Sequence, residues 1–175
     1  LGYDIVIFES GFVPSENFIM VDDIICQGQK IDSVLLDTIT RTSMIGYFVE
    51  RQGEQNIRDR VNCAFSEIKT IGSNKTDPIF AFVHILLPHP PYVFGPNGEA
   101  VIPGNPISSE TWNEKIAYLD QIKFVNKEIV KVIEKILSEN EKSIIILQSD
   151  HGSGFDGDWK NPDDSMILQR LSILN

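Results

Sequence analysis

The chain has no apolar run near the roughly 18 residues that a bilayer span requires, so no membrane helix is expected within it. Its opening residues lack the basic and then apolar pattern of a signal peptide. Positive charge is in deficit: 15 Lys and Arg stand against 25 Asp and Glu, a formal net charge of −10. Nucleic-acid phosphates are held by clustered Lys and Arg, so a nucleic-acid surface is excluded. A small anionic substrate is not, because a bound divalent cation reverses the local field. Cysteine is scarce. Cys26 and Cys63 form no C-x-x-C and no metal-finger spacing. They are read first as two buried thiols, with a disulfide in an oxidising compartment as the alternative. Repeats and low-complexity segments are absent. The triplet Asn74-Lys75-Thr76 fits a glycosylation sequon, but such triplets arise often by chance.

What is present is ordinary for a globular α/β chain. At 175 residues it is about one domain, long enough for a substantial core. The start, L-G-Y-D-I-V-I-F-E-S, reads as a strand entered partway through a fold, and the end at Leu174 and Asn175 looks equally abrupt. The expectation is an excised piece of a longer protein. Tyr3 to Phe8 is apolar enough for a buried strand, and Gly11 to Pro14 turns out of it. Phe18 to Gly28 is irregular, and the acidic pair Asp22-Asp23 suggests a solvated loop. A helix is expected over 32–48, weakened by Thr38, Thr40 and Thr42. A clearer one runs over 54–71, where Ile57, Val61, Ala64, Phe65, Ile68 and Ile71 share a stripe and Gly72 stands at the C-terminal cap position. Ile79 to Leu87 reads as a second buried strand, closed by Pro88, which has no amide hydrogen to donate. Thr111 to Glu114 fits a capping box that opens the longest helix, ending near Asn140. Its stripe of Ile122, Val125, Ile129, Val132, Ile133 and Ile136 is core.

The chemistry concentrates after two of the expected strands. Ser143 to Leu147, S-I-I-I-L, has the composition of a strand buried on both faces of a parallel sheet. It stops at Gln148, Ser149, Asp150 and His151, with Gly152 and Gly154 following, the layout of a site at the carboxyl end of a strand. Asp150 and His151 put an oxygen and a nitrogen ligand side by side. The bland alternative is a turn-starting Asp beside an exposed His. The other stretch is P-H-P-P-Y, where Pro88, Pro90 and Pro91 restrict the backbone around His89 and fix its imidazole. Positioning of that kind is much of what catalysis requires. The competing reading is a rigid surface loop in which His89 is incidental. His84, inside the expected strand, is read as a satisfied core histidine.

The order L-L-P-H-P-P-Y, then a long helix with Tyr118, Asp120 and Asn126, then I-I-I-L-Q-S-D-H-G, resembles the sulfatase-like branch of the alkaline phosphatase superfamily. The similarity covers most of the chain and is strongest from Ile79 to Phe155. Within that branch it resembles membrane-tethered members such as the lipoteichoic acid synthases and phosphoethanolamine transferases, and their uncharacterised sulfatase-like cousins. The resemblance implies that Asp150 and His151 hold a divalent metal and that His89 faces the substrate's phosphate or its leaving group. It also implies an acidic ligand and a nucleophile upstream of Leu1. The C-x-P-x-R pattern of sulfatases is missing: Gln-Gly-Gln-Lys follows Cys26 and Ala-Phe-Ser-Glu follows Cys63. No His follows His151.

The expected architecture is therefore an α/β three-layer sandwich with a mostly parallel sheet, 1–175 forming part of a sulfatase-like catalytic domain. The expected function is phosphate- or sulfate-ester hydrolysis or transfer at the extracytoplasmic face of a membrane reached through segments outside this chain. Asp and His donors suit Zn²⁺ or Mn²⁺ better than Ca²⁺. Two alternatives stand: a non-catalytic domain keeping the fold for binding or assembly, and a soluble phosphomutase-like enzyme of the same superfamily.

Overall fold

The computed structural model describes residues 2–11, 20–28, 45–72, 77–102, 114–153 and 162–173. The expected loop tip at Pro14, most of the helix over 32–48, the sequon and Thr111 to Asn113 lie outside those residues. Three strands, β1 (Asp4–Phe8), β2 (Asp23–Ile25) and β3 (Ile79–Val83), form a parallel sheet in the order β2-β1-β3. Three helices accompany it: α1 (Ile45–Glu67), α2 (Lys115–Glu139) and α3 (Asp164–Leu171).

The central strand is the apolar run D-I-V-I-F. Val6 and Phe8 face α1 and pack with Ala64, while Ile25, Ile68, Ile79 and Val83 close around them. On the other face, Ile5 stands opposite Phe80 and Ile7 opposite Phe82. Phe80 remains 57% exposed. The sheet is thus apolar on both faces, as an architecture with helices on each side requires.

α1 shows its two-sided role in its spacing. Ala64 and Ile68 meet the sheet; Val61 and Phe65 meet Phe124, Val125 and Val132 of α2. The helix begins at Ile45 and runs unbroken through Gly53, so the two helices expected over 32–48 and 54–71 share one element from Ile45 on. It ends at Glu67, and Gly72 sits in the turn beyond.

Three expectations need correction. Asp22 and Asp23 are exposed, as a solvated pair should be, but Asp23 belongs to a strand and not to a loop. The Ile5 amide donates to Asp22 Oδ2 at 2.8 Å, the Asp22 amide donates to the Ile5 carbonyl at 2.9 Å, and Asp23 opens β2. The carboxylate is a partner for strand backbone. Cys26 and Cys63 are a disulfide, not separate thiols, because the residue after β2 and the last turns of α1 bring their Cα atoms to 5.7 Å. Of the expected capping box only Glu114 is described; it stands at the N-cap of α2 and its side chain makes no capping bond. Ser143 to Leu147 is not a buried strand: Ile144 is 90% and Ile146 84% exposed, and the run joins no ladder. Its composition reports an affinity for a sheet, and no described strand pairs with it.

Candidate active site

The loop after β3 carries His89. Strand pairing ends at Val83, earlier than the expected Leu87, and His84 follows it with Nδ1 at 3.2 Å from Ser10 Oγ at the end of β1. His84 is thus half-buried and hydrogen-bonded, as a structural histidine should be. The His89 amide donates to the Leu86 carbonyl at 2.8 Å, and its ring Nδ1 lies 2.6 Å from the Pro90 carbonyl. A carbonyl only accepts, so Nδ1 carries the hydrogen of that contact.

Beyond Tyr92 the loop becomes a small hairpin. Phe94 bridges Ala100, the Val101 amide donates to the Val93 carbonyl, and Gly98 turns it with φ +87°. No side chain fits at Gly98, because a Cβ there would lie 2.8 Å from the Phe124 ring. α2 fastens the whole segment. Gln121 Oε1 accepts from the Val93 and Phe94 amides at 2.9 and 3.2 Å, and its Nε2 donates to the His89 carbonyl at 3.4 Å. Lys127 Nζ donates to the Pro96 carbonyl and Asn97 Oδ1. Phe94 stacks on Phe124 with ring centres 4.4 Å apart.

The second loop carries Asp150 and His151, both exposed. The His151 amide donates to Asp150 Oδ1 at 2.8 Å, and His151 Nδ1 donates to the Gly152 carbonyl at 2.9 Å. His151 Nε2 lies 3.5 Å from Asp150 Oδ2, a separation that suits an ion pair when the imidazole is protonated and two ligands of one cation when it is not. The donor types fit a divalent metal. The number does not complete a site: no group of three or more His, Cys, Asp or Glu able to hold a metal occurs among the described residues. The pair supplies two donors, and His89 is not a third.

α3 anchors this loop from the other side. The Gly152 amide donates to the Arg170 carbonyl at 2.7 Å, and Arg170 Nη1 returns a bond to the Gly152 carbonyl at 3.1 Å. α3 is itself capped by Asp163, whose side chain accepts from the Met166 amide at 2.8 Å.

The two loops meet the same end of α2. Tyr118 packs its ring edge-on to Tyr92, centroids 6.3 Å apart, and its hydroxyl bonds to the Ser153 side chain. Gln121 is three residues on, so one helical face touches both stretches. Burial, with Tyr118 and Glu114 nearby, pushes the Tyr92 phenol up to about 12; burial also raises Tyr118, against the lowering effect of Ser153. Both phenols stay protonated donors at neutral pH. Beside Tyr92 an open groove of about 560 Å³ runs between the hairpin and α2, lined by Phe94, Val101, Ile116 and Ala117.

Sequence reasoning missed Gln121, whose signal was a polar residue within an otherwise apolar helical stripe. It also left Gly152 without a reason. A profile of the sulfatase family matches residues 32–168, while no curated protein and no solved structure gives a match. Sulfatase-family enzymes act on sulfate esters and generally use a divalent metal ion. With that match extending over most of its length and a parallel α/β sheet beneath it, the chain belongs to the sulfatase family.

Proposed function

We propose that the chain is part of a metal-dependent enzyme that hydrolyses or transfers a sulfate or phosphate ester, with Asp150 and His151 as two of the metal's ligands and His89 facing the ester. The observation that carries this reading is the Asp150–His151 pair, with Nε2 and Oδ2 presented together and Nδ1 held by the Gly152 carbonyl. Asp150 and His151 would hold two positions of a divalent metal, Zn²⁺ or Mn²⁺ by donor type, which when bound would lower the pKa of a hydroxyl nucleophile and offset charge on ester oxygens. His89, its Nδ1–H held by Pro90, offers Nε2 to a sulfuryl or phosphoryl oxygen or to the departing alkoxide. The Cys26–Cys63 disulfide supports an extracytoplasmic place of work, since such bonds persist in oxidising compartments. A lipid- or glycan-linked ester, as handled by the lipoteichoic acid synthase and phosphoethanolamine transferase group, suits that place.

The test pairs metal analysis with kinetics on 4-nitrophenyl sulfate and 4-nitrophenyl phosphate, using the longest gene product that contains this chain. Asp150→Ala and His151→Ala should lose metal and turnover yet keep the fold, with stability within about 0.5 kcal/mol because both side chains are exposed. His89→Ala should keep the metal and lose turnover. Full metal occupancy in the first two variants would refute the ligand assignment. The 175 residues alone should be inactive, since two donors hold a metal weakly.

A further inference from the structure

Gln121 is the most deeply buried polar side chain among the described residues, 0% exposed, and it sits within the apolar face of α2. Its hydrogen bonds all go to one loop. Oε1 accepts from the Val93 and Phe94 amides, and Nε2 donates to the His89 carbonyl. These contacts bracket P-H-P-P-Y, one at His89 and two just past Tyr92. Leucine or methionine would fill the same space as core, whereas a primary amide buried here is kept by its partners alone.

We infer that Gln121 is a positioning residue for His89. It holds the main chain on both sides of Pro90 to Tyr92. The carbonyl of Pro90, which accepts from His89 Nδ1, therefore keeps a fixed place, and Nε2 points in one direction. The inference rests on the reading of His89 as the imidazole that meets the ester. The polarity of the amide matters: one oxygen must accept twice while the nitrogen donates once. Glutamate at this position separates those duties. Ionised, it still accepts from Val93 and Phe94 but sets an acceptor against the His89 carbonyl; protonated, its O–H donates to that carbonyl as the amide does. Methionine removes all three bonds at similar volume.

The experiment uses the longest gene product, 4-nitrophenyl sulfate and a divalent metal, together with ring-nitrogen NMR of the histidines, of which this chain has three. Gln121→Met should lower kcat about a hundredfold with KM and metal content little changed, the scale expected when a catalytic group is misplaced by about 1 Å. Gln121→Glu should approach wild type at acid pH and fall behind it as pH rises, a limb that a merely structural role does not create. The His89 Nδ1–H resonance should give way to mixed tautomers in Gln121→Met, with His84 and His151 unmoved. If Gln121→Met does not fold, the pH profile and His89 resonance of Gln121→Glu carry the test. An unchanged His89 resonance, or a wild-type kcat and pH profile in the folded variants, overturns the inference. A wild-type protein that turns over neither the sulfate nor the phosphate ester counts against the functional reading instead, and the ring resonances still decide the positioning.

Discussion

A methyl group placed on Gly152 would meet the Gln169 carbonyl oxygen at 2.0 Å and that of Ser172 at 2.6 Å. Backbone atoms cannot turn aside as a flexible side chain can. Gly152→Ala should therefore part the Asp150–His151 loop from the end of α3 and destabilise the protein by roughly 1–3 kcal/mol, the range for forcing volume into a packed site. Denaturant unfolding measures it, and a change below about 0.5 kcal/mol would show that the loop is not tied to α3 as described. Tyr92 offers a second residue-scale prediction. Its phenol ionises near 12 in the folded chain against 10.0 when free, and that of Tyr118 is raised as well. Between those pH values the unfolded chain has lost a proton that the folded chain keeps, so stability is intact below pH 10 and declines as pH rises towards 12. Tyrosinate absorbance should show the Tyr92 and Tyr118 phenols titrating late, and Tyr92→Phe should flatten the alkaline loss of stability. A variant that loses stability as steeply as wild type would contradict this.

Among the elements, α2 relates the two halves of the candidate site. Tyr118 and Gln121 reach the loops from one helical face, and the Lys69–Glu128 pair at 3.2 Å fastens the helix to the turn after α1. Tyr118→Phe keeps the ring against Tyr92 and removes the hydroxyl that interacts with Ser153. Metal affinity, read by calorimetry with Zn²⁺, should weaken about tenfold, the lower end for losing an outer contact of a ligand loop, while the melting temperature barely moves. Equal affinity in both proteins would leave Ser153 without influence on His151. Much of this was legible in the sequence. The stripes of α1 and α2 follow from a period of 3.6, and β1 from four successive apolar residues. The spacing of apolar residues could not show which partner each would meet. S-I-I-I-L has strand composition but no described neighbour, and D-I-I forms a strand because β1 offers it an edge. Gln121 was visible only as an interruption of a pattern; its meaning lies in a loop 27 to 32 residues away in sequence.

At the scale of the whole molecule, the Cys26–Cys63 bond closes a loop of 37 residues between the sheet and α1. A cross-link of that span stabilises by about 3–4 kcal/mol in the chain-entropy treatment. Unfolding with and without reductant should reveal a loss of that order, and Cys26→Ser should reproduce it. Equal stability would mean that sheet and helix hold without the bond. The parallel α/β architecture that the sequence implied is present, with a helix on one face of the sheet and apolar side chains on the other. No helix among the described residues is long and apolar enough to cross a membrane.

Ile144 and Ile146, so open to water, have a consequence outside catalysis. Three consecutive isoleucines with a leucine behind them form the kind of short, uncharged, β-prone ribbon that chaperones recognise and that seeds fibrils when left bare. Left uncovered, that ribbon is the segment through which copies of this chain would associate at high concentration.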